Sequence, residues 1–273
     1  RKNNLDCSRI TTRNYSTSFS LGVRMLSPKY REGIYSIYGF VRYADEIVDT
    51  FFDQDQKTIF EEFRQETHKA IERGFSINPI IDSFQRAVHK YGIDRDLIDA
   101  FLLSMEMDLY NHEYSPELLK TYIYGSAEVV GLMCLRVFYY DDSEKYDALV
   151  APARKLGEAF QKVNFLRDAR DDFAEKGRVY FKDIDFSNFS EMTKKQLEAE
   201  IELDFQEAMK GLRQLKKQVR FGVYLAYTYY LSLLKEIKNA RPEDILKKRY
   251  RVSNTQKSYL LVNAYLKNAL NLL

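Results

Sequence analysis

From residue 30 onward, apolar residues recur every three to four positions in long runs, the pattern of amphipathic helices. The runs predict helices over about 30–52, 57–73, 79–91, 94–112, 116–140, 143–173, 192–218, 220–240 and 253–272, with ends good to ~2–4 residues. Strand signals are missing: there is no long period-two alternation and no Asn-Gly or Asp-Gly hairpin pair. The prolines mostly punctuate. Pro28 precedes a long periodic segment, Asn78-Pro79 opens a helix, and Ser115-Pro116-Glu117 reads as N-cap, first helical position and acidic first turn. Pro242 closes a helix near Ala240, and Pro152 is expected to kink or split the helix over 143–173. The longest irregular stretch is 174–191. With no internal repeat, low-complexity tract or linker, the expectation is one all-α domain over 1–273.

Composition narrows the function classes. A net charge of +2 gives no basic excess for nucleic acid. The two cysteines, Cys7 and Cys134, have no metal-ligand spacing and suggest no disulfide framework, which suits a reducing cytoplasm. Aromatic residues make up 14% of the chain, all Tyr and Phe, mostly core material but also a suitable lining for a greasy or cationic ligand. No apolar run approaches the ~18 residues that span a bilayer. The chain starts Arg1-Lys2-Asn3-Asn4 with no apolar region behind, so no signal peptide is read there. The expectation is a soluble cytoplasmic protein, touching the cytoplasmic membrane face only peripherally, through a basic stretch such as Lys247 to Arg251.

Two stripes carry candidate chemistry. Tyr38, Arg42, Asp45 and Asp49 are spaced i, i+4, i+7, i+11 and fall on one helix face, bordered by Ile34, Val41 and Val48. Gln161, Asn164, Asp168 and Asp172 repeat the arrangement on another helix, with Gly157 on the same stripe leaving room. Carboxylates four residues apart can converge on one cation, and oxygen-only donors suit Mg²⁺, which takes a few carboxylates plus water and substrate phosphate. Either stripe alone equally describes the solvated face of an amphipathic helix. Two of them on separate helices, each with a nearby Arg, favour a metal–diphosphate site. A third feature is the run Tyr122-Ile-Tyr-Gly-Ser-Ala-Glu-Val-Val-Gly131. Glycine inside a helix costs about 1 kcal/mol relative to Ala, and either close helix packing or space for a long ligand would offset it.

Together these segments resemble the squalene/phytoene synthase family over nearly the whole chain. Leu156-Gly157-x-x-x-Gln161-x-x-Asn164-Phe165-x-Arg167-Asp168-x-x-x-Asp172, followed by Arg178-Val179-Tyr180, is similar to the family's second aspartate-rich signature, and Tyr122 to Gly131 to its other signature. Arg42-x-x-Asp45-Glu-Ile-Val-Asp49 resembles the first aspartate-rich motif, and Tyr15-Ser16-Thr17-Ser18-Phe19 the N-terminal diphosphate-contacting segment. Lys182 stands where the signature usually has Pro, Ala169 replaces a larger apolar residue, and Tyr15 sits where some relatives have His.

The resemblance implies an isoprenoid synthase-type helical fold with a central cavity. It implies Asp45, Asp49, Asn164, Asp168 and Asp172 as ligands of Mg²⁺, with Mn²⁺ as a substitute, and makes Arg42 and the four aspartates the catalytic set. Tyr15, Ser16, Thr17, Ser18, Tyr38, Arg42, Gln161 and Arg167 would contact diphosphates, joined by Arg178, Tyr230 and Arg249, with Arg251 a rival to Arg249. Tyr122, Ser126, Val130, Gly131, Cys134 and Gly157 would line the hydrocarbon tunnel. From spacing alone, Arg249 is a solvated basic residue, Tyr230 a core aromatic and Cys134 a small buried hydrophobe. His68, His89 and His112 share no spacing and are expected to be non-catalytic.

The implied reaction is a head-to-head condensation of two geranylgeranyl diphosphates to phytoene through a cyclopropylcarbinyl (prephytoene) diphosphate, in carotenoid biosynthesis, without NADPH. Prenyl diphosphates would be the substrates, and downstream carotenoid enzymes the protein partners. The alternative within the family is squalene or dehydrosqualene synthesis from farnesyl diphosphate, and the lack of a C-terminal anchor in the sequence points away from a eukaryotic squalene synthase. Head-to-tail prenyltransferases and terpene cyclases more often carry a contiguous DDxxD, from which Asp45-Glu46-Ile47-Val48-Asp49 departs. A non-catalytic helical assembly factor would be expected to lose aspartates, and all four are present.

Overall fold

The structure is a computed structural model describing residues 2–110, 114–174, 190–245, 247–270 and 272, with side chains throughout except at 171–174. The described residues are helical and contain no strand. In chain order the helices are α1 (Lys2–Tyr15), α2 (Thr17–Arg24), α3 (Pro28–Asp49), α4 (Gln56–Arg73), α5 (Pro79–Tyr91), α6 (Arg95–Tyr110), α7 (Pro116–Ile123), α8 (Val129–Phe138), α9 (Ser143–Ala174), α10 (Glu191–Leu212), α11 (Lys217–Lys238), α12 (Pro242–Ile245) and α13 (Asn254–Ala269), with a π-helical turn, Tyr124–Glu128, between α7 and α8.

Local chemistry explains most boundaries. Asn78 Oδ1 accepts from the amides of Ile80 and Ile81 at the start of α5, with Pro79 in the first turn. Ser115 caps α7 in the same way ahead of Pro116. Ser253 and Gln256 form a reciprocal capping box at the start of α13. Gly74 and Gly92 end α4 and α5 in the left-handed region, at φ 72° and 64°, where a side chain would be strained.

Two large apolar clusters form most of the interior, with a small third around Met107, Tyr114, Tyr122, Ile123 and Phe165. In the first, α3 is central: Phe40 is fully buried, stacks on Phe84 at 3.8 Å between ring centres and meets Phe63 and Phe101. The second joins α9, α10 and α11 around Val163, Leu166, Phe205 and Leu225. Leu215 and Val223 pack against both. An ionic cluster also ties α9 to α10. Lys162 Nζ lies 2.8 Å from both Glu158 and Asp204, and Lys155 Nζ is 2.8 Å from Asp204. Its members occupy a different stripe of α9 from Gly157, Gln161, Asn164 and Asp168, which leaves that second stripe free to face the interior.

Several expectations change. Residues 2–15 and 17–24 form α1 and α2, which the apolar periodicity did not announce. Pro152 does not split α9. Its ring fits the space at Gly211 of α10, where a Cβ would lie 2.4 Å from the ring carbons, and the lost amide bond is tolerated in a helix packed along its length. The predicted single helix over 116–140 contains the π-turn. It is also more apolar than expected: Pro116–Phe138 spans 23 residues with a mean hydropathy of 1.2 over its most apolar window, enough by length and composition to cross a membrane. Its apolar character has an internal use, because Val129, Leu132 and Met133 belong to the core while Ser126, Val130 and Cys134 line a cavity. Residues 175–189 of the expected irregular stretch, Arg178 among them, and His112 lie outside the described residues, as does the side chain of Asp172, while Ala174 ends α9 and Ser190 caps α10.

Candidate active site

A cavity of about 760 Å³ opens between α2, α3, α8, α9, α10 and α11. Most of its wall is apolar. Leu26, Ile34, Ile37, Val130, Leu135, Phe138, Leu149 and Leu215 supply bulk, and Gly22, Gly131, Gly157, Gly211 and Gly222 let the helices approach. The closeness is real at Gly157, where a Cβ would sit 2.7 Å from the Ala127 carbonyl oxygen in the π-turn. The π-turn thus meets α9 backbone to backbone at the wall. Ser126, in the same turn, lines the cavity and has a buried hydroxyl with no hydrogen-bond partner among the described residues.

Polar groups are concentrated in another part of the lining: Ser16, Ser18, Tyr38, Gln161, Asn164, Arg167, Tyr230, Arg251, Ser253, Asn254 and Lys257. Tyr230 Oη donates to Asn164 Oδ1 at 3.2 Å, and Asn164 Nδ2 donates to Gln161 Oε1 at 3.4 Å. Two aromatic pairs flank them, Phe160 on Tyr230 at 3.9 Å and Phe19 on Tyr38 at 4.5 Å. Ser16 caps α2 by accepting from the Phe19 amide, which fixes the entrance to that helix. Burial pushes the Tyr38 hydroxyl up to about 12, so it stays protonated and able to donate.

The carboxylates next to this end are bound by arginines. Arg42 pairs with Asp45, donates to Glu46 at 2.6 Å and lies 4.2 Å above the ring of Tyr15, itself half exposed. Burial opposes the charge on Arg42, but Asp45 and Glu46 outweigh it and raise its affinity for the proton. Asp168 is held from two sides, by Arg167 Nε at 2.9 Å and Arg249 Nε at 2.8 Å. Arg167 is likewise raised, burial being outweighed by Asp168. Asp49, half-buried, ends α3. Asp45, Glu46 and Asp49 thus crowd the negative end of the α3 dipole, whose last turn has no basic residue.

The oxygen donors fit a hard cation. Carboxylate charge gathered at a helix C-terminus attracts cations, as the pairing of Arg42 with Asp45 and Glu46 shows, and Asp45, Asp49, Asn164 and Asp168 offer only oxygens among their acceptors. Among the described residues, no three acidic, His or Cys side chains already converge on one point. The two arginine-held aspartates instead wait on separate helices.

The structure also separates residues that the sequence grouped. Val130, Gly131, Cys134 and Gly157 are in the cavity wall, and Thr17 accepts from Lys257 Nζ at 3.3 Å beside it. Tyr122 is not in that wall. It is buried behind it with Tyr114 and Phe165, donating to Asp108 Oδ2 at 2.9 Å, because its hydroxyl needs a polar partner once desolvated. The basic stretch 247–251 is divided: Arg249 reaches Asp168 and Arg251 the cavity, so both belong to the site. Phe160, Lys257 and the segment 252–254 were not singled out by the sequence. Phe160 has the spacing of an ordinary core aromatic, and Lys257 enters only because α13 folds back along α11, where Tyr229 Oη donates to the Lys257 carbonyl.

The sequence pattern of the squalene/phytoene synthase family matches residues 12–256. A 15-cis-phytoene synthase of Synechocystis sp. is 28% identical over 288 aligned positions, covering 96% of this chain and 84% of the relative. A presqualene diphosphate synthase of Sinorhizobium fredii is 31% identical over 166 positions, 60% of this chain and 57% of the relative. The crystal structure of a dehydrosqualene synthase superposes with a TM-score of 0.80 at 21% identity, covering 97% of each chain, and so shares the fold. This chain belongs to the squalene/phytoene synthase family and is an enzyme of the prenyltransferase class.

Proposed function

We propose that the protein condenses two geranylgeranyl diphosphates head to head to phytoene. The observation that carries this reading is the cavity's division into a long apolar wall and a polar end bearing Arg167, Arg251 and Lys257, with Arg42 and Arg249 paired to the carboxylates beside it. Such a cavity takes a molecule that is hydrocarbon at one end and a polyanion at the other. The choice of phytoene is supported by relatives of that name matched over 84% and 89% of their length. We also take the chain as one catalytic domain, since Leu215 and Val223 pack against both apolar clusters.

In this mechanism Asp45, Asp49, Asn164 and Asp168, with Asp172, would hold Mg²⁺, or Mn²⁺, which would neutralise charge on the diphosphate leaving group. The guanidinium groups and Lys257 bind the remaining phosphate oxygens, the arginines in forked pairs. Tyr38, protonated, and Ser16 donate beside them. When C1 of the first substrate loses its diphosphate, the double bond of the second attacks it. Loss of a proton closes the cyclopropane, and a second ionisation, rearrangement and proton loss yield the hydrocarbon. The rings of Phe19, Tyr38, Phe160 and Tyr230 present π faces to the cationic stages, and the apolar wall keeps water from them.

A second reading, farnesyl diphosphate as substrate, is favoured by the presqualene diphosphate synthase relative. Product analysis separates the two. Incubation with each diphosphate, with and without NADPH, is expected to give phytoene from the longer substrate irrespective of NADPH. Hydrocarbon from farnesyl diphosphate alone would favour the second reading.

A further inference from the structure

A second concavity, of about 550 Å³, shares no lining residue with the catalytic cavity. Leu5, Arg9 and Arg13 form one side at i, i+4, i+8 on α1. Pro28, Arg31, Glu32 and Tyr35 form the other at i, i+3, i+4, i+7 on α3, and Arg24, at the end of α2, completes it. α2 separates the two spaces: Gly22, Val23 and Leu26 line the cavity, whereas Arg24 lines the groove.

Two of the four guanidinium groups are committed. Arg9 pairs with Asp6 at 2.8 Å, and Arg31 Nε donates to the Leu26 carbonyl at 2.8 Å. Arg13 and Arg24 are exposed, and neither makes an ion pair or side-chain hydrogen bond among the described residues. Glu32, the single carboxylate in the lining, pairs with none of them. In a chain whose net charge is only +2, this is a local concentration rather than a general basicity. Like charges held side by side repel, and an anion between them removes that cost. Planar guanidinium forks match the spacing of phosphate oxygens, and the apolar floor of Leu5 and Tyr35 suits the carbon next to a phosphoester.

We propose that this groove is a second anion site, distinct from the catalytic cavity, that takes a phosphate-bearing group: an anionic lipid headgroup or free diphosphate. The test compares the wild type with Arg13→Gln/Arg24→Gln, with Arg13→Lys/Arg24→Lys, and with Lys195→Gln/Lys210→Gln, which removes the same charge from α10. Each is titrated with inorganic diphosphate by calorimetry. Each is also sedimented with phosphatidylcholine vesicles containing phosphatidylglycerol. Thermal melts and turnover should match the wild type, since Arg13 and Arg24 are exposed and line the groove rather than the catalytic cavity. If lipid is the source, vesicle binding weakens at least about tenfold in the Gln pair and not in the α10 control. If free diphosphate is the source, the wild type shows a second class of sites that the Gln pair lacks. The Lys pair keeps part of either signal. Equal diphosphate stoichiometry together with equal vesicle binding in the wild type and the Gln pair overturns the proposal, as does an equal vesicle loss in the α10 control without a diphosphate difference.

Discussion

Asp168 concentrates the electrostatics of the site in one side chain. Arg167 and Arg249 hold it from two sides and fix the orientation of its carboxylate. Asp168→Asn keeps the shape and removes the charge. Turnover should fall by about 100-fold or more, because a lost ligand charge costs several kcal/mol in the transition state. Stability should fall by about 1–3 kcal/mol as two guanidinium groups lose their partner. Assays well below the melting temperature separate the effects, and near-normal turnover would remove Asp168 from the mechanism.

Cys134 shows a different residue-scale effect. Burial pushes its thiol up to about 12 from the ordinary 9.0. A raised folded value means stability that is complete below pH 9.0 and is lost as pH rises from 9.0 to about 12. At pH 8 the native thiolate is therefore scarce, and the thiolate is the nucleophile. Iodoacetamide should leave Cys134 unmodified in the native protein and alkylate it after unfolding, as read by peptide mass spectrometry. Rapid native alkylation would contradict its place in an apolar wall.

At the scale of elements, the stripes on α3 and α9 were legible because helix period and residue chemistry coincide: Asp45 and Asp49, or Asn164 and Asp168, share a face wherever the helix lies. The capped starts of α5 and α7 were legible for the same local reason, whereas the capping box of α13 emerged only in the structure. The short α2 was not, since eight residues hold too little periodicity, and its position depends on the Gly22–Gly222 approach to α11, which is tertiary. The π-turn was hidden as well. Its residues look helical, and the extra residue becomes visible only where Gly157 meets the Ala127 backbone. Tyr122 stood in the right motif yet serves packing, because the partner of its hydroxyl, Asp108, lies on another helix.

The π-turn supplies a test of how the substrate lies. Ser126 and Ala127 line the cavity. Ser126→Phe or Ala127→Phe should fill space meant for a prenyl tail, and each CH₂ excluded from an apolar site forfeits about 0.8 kcal/mol. The ratio of kcat/KM for geranylgeranyl over farnesyl diphosphate should therefore fall by at least about tenfold. An unchanged ratio in a folded variant would mean that the tail does not follow this wall.

At the scale of the whole molecule, the fold brings opposite requirements into one chamber. Core packing of α3, α8, α9 and α11 leaves an apolar space, while the C-terminal segment returns Arg249, Arg251 and Lys257 to its polar part. No local pattern could reveal that return, because it depends on α13 lying antiparallel on α11, with Tyr229 near Lys257 and Arg220 near Asn268. The division sets paired carboxylates and arginines, Asp45 with Arg42 and Asp168 with Arg167 and Arg249, beside an apolar chamber. The most direct measurement is the hydrocarbon yield from geranylgeranyl diphosphate alone, with Mg²⁺ and with excess chelator. Phytoene formed with the metal and abolished by the chelator is the predicted result; full yield in the chelator, or no C40 hydrocarbon with Mg²⁺, would contradict the account.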